Sequence, residues 1–162
     1  MDFELRATEP SDYDTIATWI QDAVSCSRWA GPLVPFPFSA RELPELLSVK
    51  GGSSYSLAAG NNRCIGFGQF WVVRQGSVHL GRIIISPEAR GVGTGRLLCK
   101  KLIAKAIQET DAARVTLRVY RDNAPALSLY SSLGFAIIES ESTDKLLLMS
   151  ASNAEQGVMS AD

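Results

Sequence analysis

The sequence predicts a protein of the α+β or α/β class, in which helices cover a mixed β-sheet. Segments with strand and helix patterns alternate between residues 78 and 138, and this order places helices against a sheet. The chain has 162 residues, of which 46% are hydrophobic and 20% charged, so it can bury the core of one domain. We therefore expect a single domain over residues 1–150 and a disordered tail of small and polar residues over 151–162.

The first third of the chain predicts a strand, two helices and a loop. Apolar and polar residues alternate over residues 3–7, which favours a half-buried strand. Residues 11–14 are typical of a capping box, and apolar residues at helical spacing then continue to Val24, so we expect one long first helix. Residues 27–39 contain three prolines and three aromatic residues and are predicted to form a loop. A second helix is predicted over residues 40–47.

The remaining segments predict the sheet and its two main helices. Residues 55–59 and 65–73 have strand patterns and are joined by Asn61 and Asn62, a hairpin signal. Further strands are predicted over residues 78–85, 115–119, 135–138 and 145–149, and helices over residues 93–108 and 125–133. Because a helix separates the strands at 78–85 and 115–119, these two should run parallel. The last two strands should form an antiparallel pair.

Composition excludes several classes of site. The net charge of −1 gives no general nucleic-acid footprint. His79 is the only histidine, and the three cysteines form no CxxC pair, so we expect no metal site. The sequence has no apolar run long enough for a membrane span and no basic, apolar secretory signal at its start. We therefore expect a cytoplasmic protein with reduced thiols and with no membrane or nucleic-acid partner.

Charge is unevenly distributed along the chain. Residues 82–121 contain nine basic and three acidic residues, whereas the chain as a whole is slightly acidic. This excess could be a solvated helix face, since Lys100, Lys101 and Lys105 share one. It could equally line a pocket for a polyanionic ligand. Charge alone leaves both interpretations open.

A glycine-rich run joins the predicted strand at 78–85 to the helix that follows it. Its residues are Arg90, Gly91, Val92, Gly93, Thr94, Gly95 and Arg96. Free amides at a helix start suit phosphate oxygens, and arginines add charge-assisted hydrogen bonds. A dinucleotide GxGxxG motif would need glycine where Arg96 stands, and no Gly-Lys-Ser/Thr occurs, so neither of these phosphate motifs fits. A glycine turn without a ligand remains the alternative.

Two motifs in this region resemble those of a known family. Arg90-x-x-Gly93-x-Gly95 resembles the acetyl-CoA signature of the GNAT superfamily of N-acetyltransferases. Asn123-x-x-Ala126-x-x-x-Tyr130-x-x-x-Gly134-Phe135 is similar to the second half of that family's cofactor site. The resemblance is close over residues 80–135 and weaker over most of residues 3–149. It implies a GNAT-like α/β sandwich of the α+β class: a mixed, mostly antiparallel sheet with a central parallel strand pair, flanked by helices.

The resemblance also implies a cofactor site for acetyl-CoA. Amides from Val92 to Arg96 would hold the diphosphate, and the end of the preceding strand would pair with the pantetheine arm. Asn123 would bind pantetheine, although a helix-cap role is equally compatible with its position. The expected acetyl-CoA residues are Ile83, Ile84, Ile85, Arg90, Gly91, Val92, Gly93, Thr94, Gly95, Arg96, Asn123, Ala126 and Tyr130.

The resemblance further implies a direct attack of an amine on the thioester in a ternary complex. Tyr130 matches the tyrosine that donates a proton to the departing sulfur; a core aromatic is the alternative. His79 stands where many members have a glutamate base, and its ordinary pKa of ~6.5 suits a proton acceptor. A lone histidine is often structural, so the identity of the base stays open.

We expect an N-acetyltransferase that takes acetyl-CoA and a primary amine, either a small molecule or a peptide or protein amine, as partners. Trp29 and Phe36, in the proline-rich segment, are the expected acceptor-binding residues. The alternative is a non-catalytic module that binds or senses acyl-CoA. We also allow for a homodimer.

Overall fold

A computed structural model describes residues 2–153, which form seven strands and five α-helices. In chain order these elements are β1 (Glu4–Ala7), α1 (Pro10–Ala17), α2 (Ala23–Ala30), α3 (Leu43–Leu46), β2 (Ser53–Ala58), β3 (Cys64–Arg74), β4 (Ser77–Ile85), α4 (Thr94–Thr110), β5 (Arg114–Tyr120), α5 (Ala124–Ser132), β6 (Ala136–Ile137) and β7 (Leu146–Ser152). Apart from the first helix, the predicted elements are present with ends shifted by a few residues.

The strands form one mixed sheet in the order β1-β2-β3-β4-β5-β7-β6. β4 and β5 are parallel, whereas β1 pairs with β2, β5 with β7 and β6 with β7 in antiparallel fashion. The predicted fold class, its parallel pair and its final antiparallel pair are therefore confirmed. The parallel ladder ends where Leu80 faces Leu117, although β4 continues to Ile85.

The described residues divide into two compact units. The first comprises residues 2–69 and 82–98, and the second comprises residues 70–81 and 99–153. In the first unit, Phe67, Leu43 and Ile16 are fully buried in a core formed by α1, α2, α3 and β3. In the second unit, Leu102 and Met149 are fully buried. The single-domain assignment of residues 1–150 stays a prediction.

The first helix is shorter than predicted and begins earlier. Glu9 is its N-cap, Pro10 occupies the first turn, and Asp12 accepts a 2.8 Å hydrogen bond from the Glu9 amide, so the predicted capping box at residues 11–14 was wrong by two positions. α1 ends at Ala17. A separate helix, α2, starts after Asp22, whose carboxylate accepts from the Ser25 amide at 2.7 Å.

The helix cap at Asp22 shows that two of the sequence predictions were wrong. Val24 lies in α2 and is 68% exposed, so it does not extend the apolar face of the first helix. Residues 27–30 are helical rather than part of a loop, because the Asp22 cap favours helix over the residues that precede the first proline.

The predicted boundary of the tail also needs correction. Ala151 faces Val115 across the β5–β7 ladder, and the Asn153 amide donates to the Ala113 carbonyl at 2.7 Å. Residues 151 and 152 therefore belong to β7 rather than to a disordered tail. The rest of the predicted tail, residues 154–162, lies outside the described residues.

Candidate active site

The C-terminal half of β4 changes direction at Arg82. This residue has a φ of 52°, which is unusual for a non-glycine residue, and it lies two residues after Leu80, where the ladder with β5 ends. Its half-buried guanidinium donates to the carbonyls of Ala30 and Leu47, at 3.2 and 3.0 Å, and to Oε1 of Gln69 at 3.1 Å. The sequence did not predict these three hydrogen bonds, because its only signal was a charged residue inside an apolar strand.

Beyond Arg82 the strand carries the three predicted isoleucines. Ile83 and Ile85 pack against one apolar cluster of the first unit, and Ile84 packs against the other. The alternation confirms that this segment stays extended. The Ser86 amide then donates to the Ile65 carbonyl at 2.8 Å, which fixes the end of β4 against β3. The side chains thus serve packing, and only the backbone remains for a ligand.

The glycine-rich run is an exposed turn that leads into α4, as predicted. Gly91 and Gly93 have φ angles of 77° and 86°, which L side chains rarely adopt, and a Cβ at either position would meet open space. These glycines are therefore required by backbone geometry rather than by crowding within the protein. α4 begins at Thr94, so the first-turn amides of Thr94 and Gly95 have no carbonyl partner within the helix.

Two arginines flank this turn. Arg90 is exposed and uses Nε to donate to the Ile85 carbonyl at 3.2 Å, which leaves the outer edge of its guanidinium facing solvent. Arg96 is also exposed, in the first turn of α4. Val92, at the tip of the turn, is 76% exposed. A helix start with free amides and two cations is a favourable site for a phosphate anion.

The second predicted motif lies in the second unit. Asn123 is the N-cap of α5, and its Oδ1 accepts from the Ala126 amide at 3.3 Å. Asn123 therefore has the helix-cap role that the sequence left open. The Asn123 side-chain amide still has its two N–H donors for another group.

Tyr130 lies in α5 beside Cys99 of α4. Its hydroxyl and the Cys99 thiol are hydrogen-bonded to each other, and its ring meets Phe135 edge-on at 6.1 Å between centroids. Burial, followed by the influence of Cys99, raises the pKa of Tyr130 far above its usual range. Burial also raises the pKa of Cys99 to about 12. Tyr130 is consequently a protonated hydrogen-bond donor at every physiological pH.

His79 lies on β4 in the second unit, where it faces Thr116 of β5. Its Nδ1 is 2.8 Å from the Thr116 hydroxyl, and its ring lies 5.3 Å from that of Trp71. Burial, and to a smaller extent the charge of Arg118, lowers the pKa of His79 to about 4. The imidazole is therefore neutral at pH 7 and has a lone pair with which to accept a proton, although it is a weak base.

A pocket of about 300 Å³ opens beside His79. Trp71 and Thr116 line it together with three charged residues, Arg74, Arg118 and Glu141. Sequence reasoning offers Trp71 as one of several aromatic candidates for an acceptor site. It does not bring the three charged residues to His79, because they come from β3, β5 and the segment before β7 and have no common motif.

Trp29 and Phe36, the predicted acceptor residues, pack against the core of the first unit. Trp29 lies in α2 rather than in a loop, and its indole N–H donates to the Arg82 carbonyl at 2.8 Å. The indole is thus held against the bend in β4. An acceptor-binding role for either residue stays a prediction.

Comparison with known proteins decides the family. The model of the acetyltransferase (GNAT) family matches residues 17–135, almost three-quarters of the chain. The chain belongs to the GNAT acetyltransferase family. The match includes the turn at residues 90–96 and ends at Phe135, so it contains both motifs that carried the resemblance.

Two curated GNAT relatives are mycothiol acetyltransferases. The chain is 35% identical over 68 residues to that of Corynebacterium jeikeium, a stretch that covers 42% of this chain and 19% of the relative. It is 35% identical over 82 residues to that of Corynebacterium kroppenstedtii, which covers 46% of this chain and 22% of the relative. The matched stretch is thus about a fifth of each relative's length.

Solved structures support the GNAT fold. The spermidine N-acetyltransferase from Vibrio cholerae in complex with CoA and spermine superposes with a TM-score of 0.79 at 20% identity, covering 95% of this chain and 97% of the other. A dodecameric structure of spermidine N-acetyltransferase from the same organism gives a TM-score of 0.71 at 21% identity, covering 94% and 95%.

No helix within residues 2–153 is both long and apolar enough to cross a bilayer. Within the same residues, no group of three or more His, Cys, Asp or Glu side chains is placed to hold a metal ion.

Proposed function

We propose that the protein is an acetyl-CoA-dependent N-acetyltransferase that acts on a primary amine. The observation that carries this proposal is the turn at residues 90–96 in a chain of the GNAT family. Its two glycines with positive φ, its free first-turn amides and its two exposed arginines fit a diphosphate. The CoA-bound relative supports the same assignment through its fold.

The proposed reaction is a direct transfer in a ternary complex. The neutral amine nitrogen forms a bond to the thioester carbonyl carbon, and the carbon–sulfur bond breaks. The nitrogen loses one proton to a base, and the sulfur leaves as a thiolate that becomes the thiol of CoA. This scheme needs a proton acceptor near the amine and a hydrogen-bond donor near the sulfur.

The residues of the second unit can supply both groups. Tyr130 would donate to the departing sulfur, because its raised pKa keeps the hydroxyl protonated. The pKa of the phenol exceeds that of a thiol, so we assign it hydrogen-bond stabilisation of the thiolate, with solvent supplying the final proton. His79 would take the amine proton and pass it to solvent, since its low pKa prevents it from holding the proton for long.

The proposal is tested by measuring thiol release from acetyl-CoA with the purified protein and a panel of primary amines. We expect release that depends on both protein and amine, together with thermal stabilisation by CoA alone. A ligand at one hundred times its Kd adds about 2.7 kcal/mol to the free energy of unfolding. Stabilisation by CoA without transfer to any amine would favour a non-catalytic acyl-CoA-binding module. An absence of both effects would contradict the proposal.

A further inference from the structure

The pocket beside His79, which we call the His79 pocket, has a neutral floor. The Thr116 hydroxyl is hydrogen-bonded to Nδ1 of His79, and no described residue is hydrogen-bonded to Nε2. Trp71 is fixed next to it: a Cβ on Gly81 would lie 2.4 Å from the indole, so the ring rests directly on the glycine backbone. An imidazole with a free nitrogen and a rigid aromatic face provide an uncharged surface for an amine.

The rim of the pocket carries more positive than negative charge. Glu141 is its only carboxylate among the described residues, and Arg74 already lies 3.4 Å from it. Arg118 donates one N–H to the Glu141 backbone carbonyl at 3.3 Å, so the other donors of its guanidinium remain. Arg118 is exposed and approaches His79 closely enough to contribute to the lowering of its pKa.

This charge arrangement discriminates between classes of amine. A polyamine would bring several ammonium groups to a rim with two guanidinium groups and one carboxylate that is already paired. A carboxylate on the acceptor would instead meet Arg118, whose planar donors match its two oxygens. The volume of about 300 Å³ lies at the lower end of the range of small-molecule sites.

We propose that the His79 pocket binds the acceptor and that this acceptor is an amine that also carries a carboxylate, such as an amino acid or a short peptide. The inference rests on the proposed function, since it requires an acetyl transfer. In this arrangement the carboxylate binds Arg118, and the amine nitrogen lies against Trp71 and gives its proton to Nε2 of His79. Arg118 is a specificity-determining residue that contacts the acceptor away from the reacting nitrogen.

The test compares acceptors with and without a carboxylate. Initial rates of acetyl transfer are measured with a set of L-amino acids, with their α-carboxamides and with spermidine. We expect kcat/KM to be at least about tenfold higher for the acids than for the amides, an advantage that corresponds to about 1.4 kcal/mol. The difference should appear mainly in the KM of the acceptor, because the carboxylate is bound equally before and during the reaction.

Variants of Arg118 separate recognition from folding. Arg118→Gln should bring the acid-to-amide ratio close to one, and Arg118→Glu should reverse it and favour spermidine. Arg41→Gln, an exposed arginine of the first unit, serves as the control and should keep the ratio of the wild type. Since Arg118 is exposed, both variants should fold, and thermal unfolding checks this directly.

The outcomes distinguish this inference from the proposed function. Equal rates for acids and amides, or a preference of the wild type for spermidine, would overturn the acceptor assignment and leave the acetyltransferase activity standing. Failure to acetylate any amine would overturn both. A ratio that changes in Arg118→Gln but not in Arg41→Gln supports the assignment.

Discussion

At the scale of single residues, burial determines the protonation states of Tyr130 and His79. Both lose water contacts, and in each case the neutral form is favoured because a charge is costly to bury. For Tyr130 this preserves a hydrogen-bond donor, and for His79 it preserves a nitrogen that can accept a proton. The sequence could place these residues in motifs, but their protonation states depend on neighbours from other elements, such as Cys99 and Arg118.

Replacing Tyr130 with phenylalanine should lower kcat with little change in the KM of acetyl-CoA. The loss is expected to be about 10²–10³-fold, the size typical of removing one preorganised hydrogen-bond donor from a developing anion. Steady-state rates measured with saturating amine provide the test. Tyr13→Phe, which removes a hydroxyl in α1, is the matched control and should retain the wild-type kcat. An unchanged kcat in Tyr130→Phe, under conditions where chemistry limits the rate, would remove Tyr130 from the mechanism.

His79 should make the stability of the protein sensitive to mild acid. Its pKa is about 4 in the folded chain and 6.5 in the unfolded chain, so between these pH values only the unfolded chain binds the proton. This contribution to stability is complete above pH 6.5 and is lost as the pH falls towards 4, with a size on the order of 1–3 kcal/mol.

Thermal unfolding between pH 7 and pH 4 measures this effect through the difference between wild type and His79→Gln. The Tm of the wild type should fall more steeply, because glutamine does not titrate. Carboxylates such as Asp12 titrate in both proteins and therefore cancel in the comparison. Burial opposes ionisation of Asp12, but hydrogen bonds from Arg6, the Glu9 amide and Ser56 together hold its pKa below the ordinary value. Parallel curves for the two proteins would contradict the assigned pKa of His79.

At the scale of elements, the turn before α4 is the proposed binding site of the CoA diphosphate. Gly93→Glu should abolish CoA binding, because the new carboxylate repels the diphosphate and its side chain blocks approach to the first-turn amides of α4. Gly51→Glu is a closely matched control: Gly51 also has a positive φ, of 72°, and open space at its Cβ. Both variants carry the same strain and the same charge.

Calorimetric titration with CoA distinguishes the two glycine variants. We expect Gly51→Glu to bind CoA with wild-type affinity even if its Tm is lowered. Retained CoA affinity in a folded Gly93→Glu variant would show that the diphosphate binds elsewhere.

The bend of β4 is predicted to depend on both the backbone and the guanidinium of Arg82. Arg82→Gly keeps access to a positive φ but loses three hydrogen bonds, so it should be destabilised by roughly 2 kcal/mol or more. Arg82→Ala should be less stable than Arg82→Gly by about 1 kcal/mol, since alanine is strained at a φ of 52°. Urea unfolding of the three proteins gives these differences. An alanine variant as stable as the glycine variant would contradict the strained backbone.

The elements differ in how far the sequence predicts them. The turn at residues 90–96 is encoded locally, by glycines that allow positive φ and by the apolar pattern of the helix that follows. The end of α1 is not encoded locally, because the same apolar spacing continues through residues 18–24. Only the cap at Asp22 marks the start of a new helix. Arg82 could not be predicted either, since its three acceptors are 13, 35 and 52 residues away in the sequence.

At the scale of the whole molecule, the alternation of strands and helices predicts the mixed sheet and its parallel pair. It does not predict the His79 pocket, whose residues extend from position 71 to position 148 and converge only through the strand order β3-β4-β5-β7. The proposed cofactor site thus contains a motif that is visible in the sequence, whereas the proposed acceptor site depends on tertiary structure. A homodimer stays a prediction.

The proposed acetyltransferase activity is tested by transfer of an isotopically labelled acetyl group from acetyl-CoA to an amine. Purified protein is incubated with labelled acetyl-CoA and a mixture of amino acids and polyamines, and the products are identified by mass spectrometry. We expect the label to become attached to an amine nitrogen, in an amount equal to the free CoA thiol released. Protein that binds CoA but leaves the label on the thioester, or passes it only to water, would contradict it.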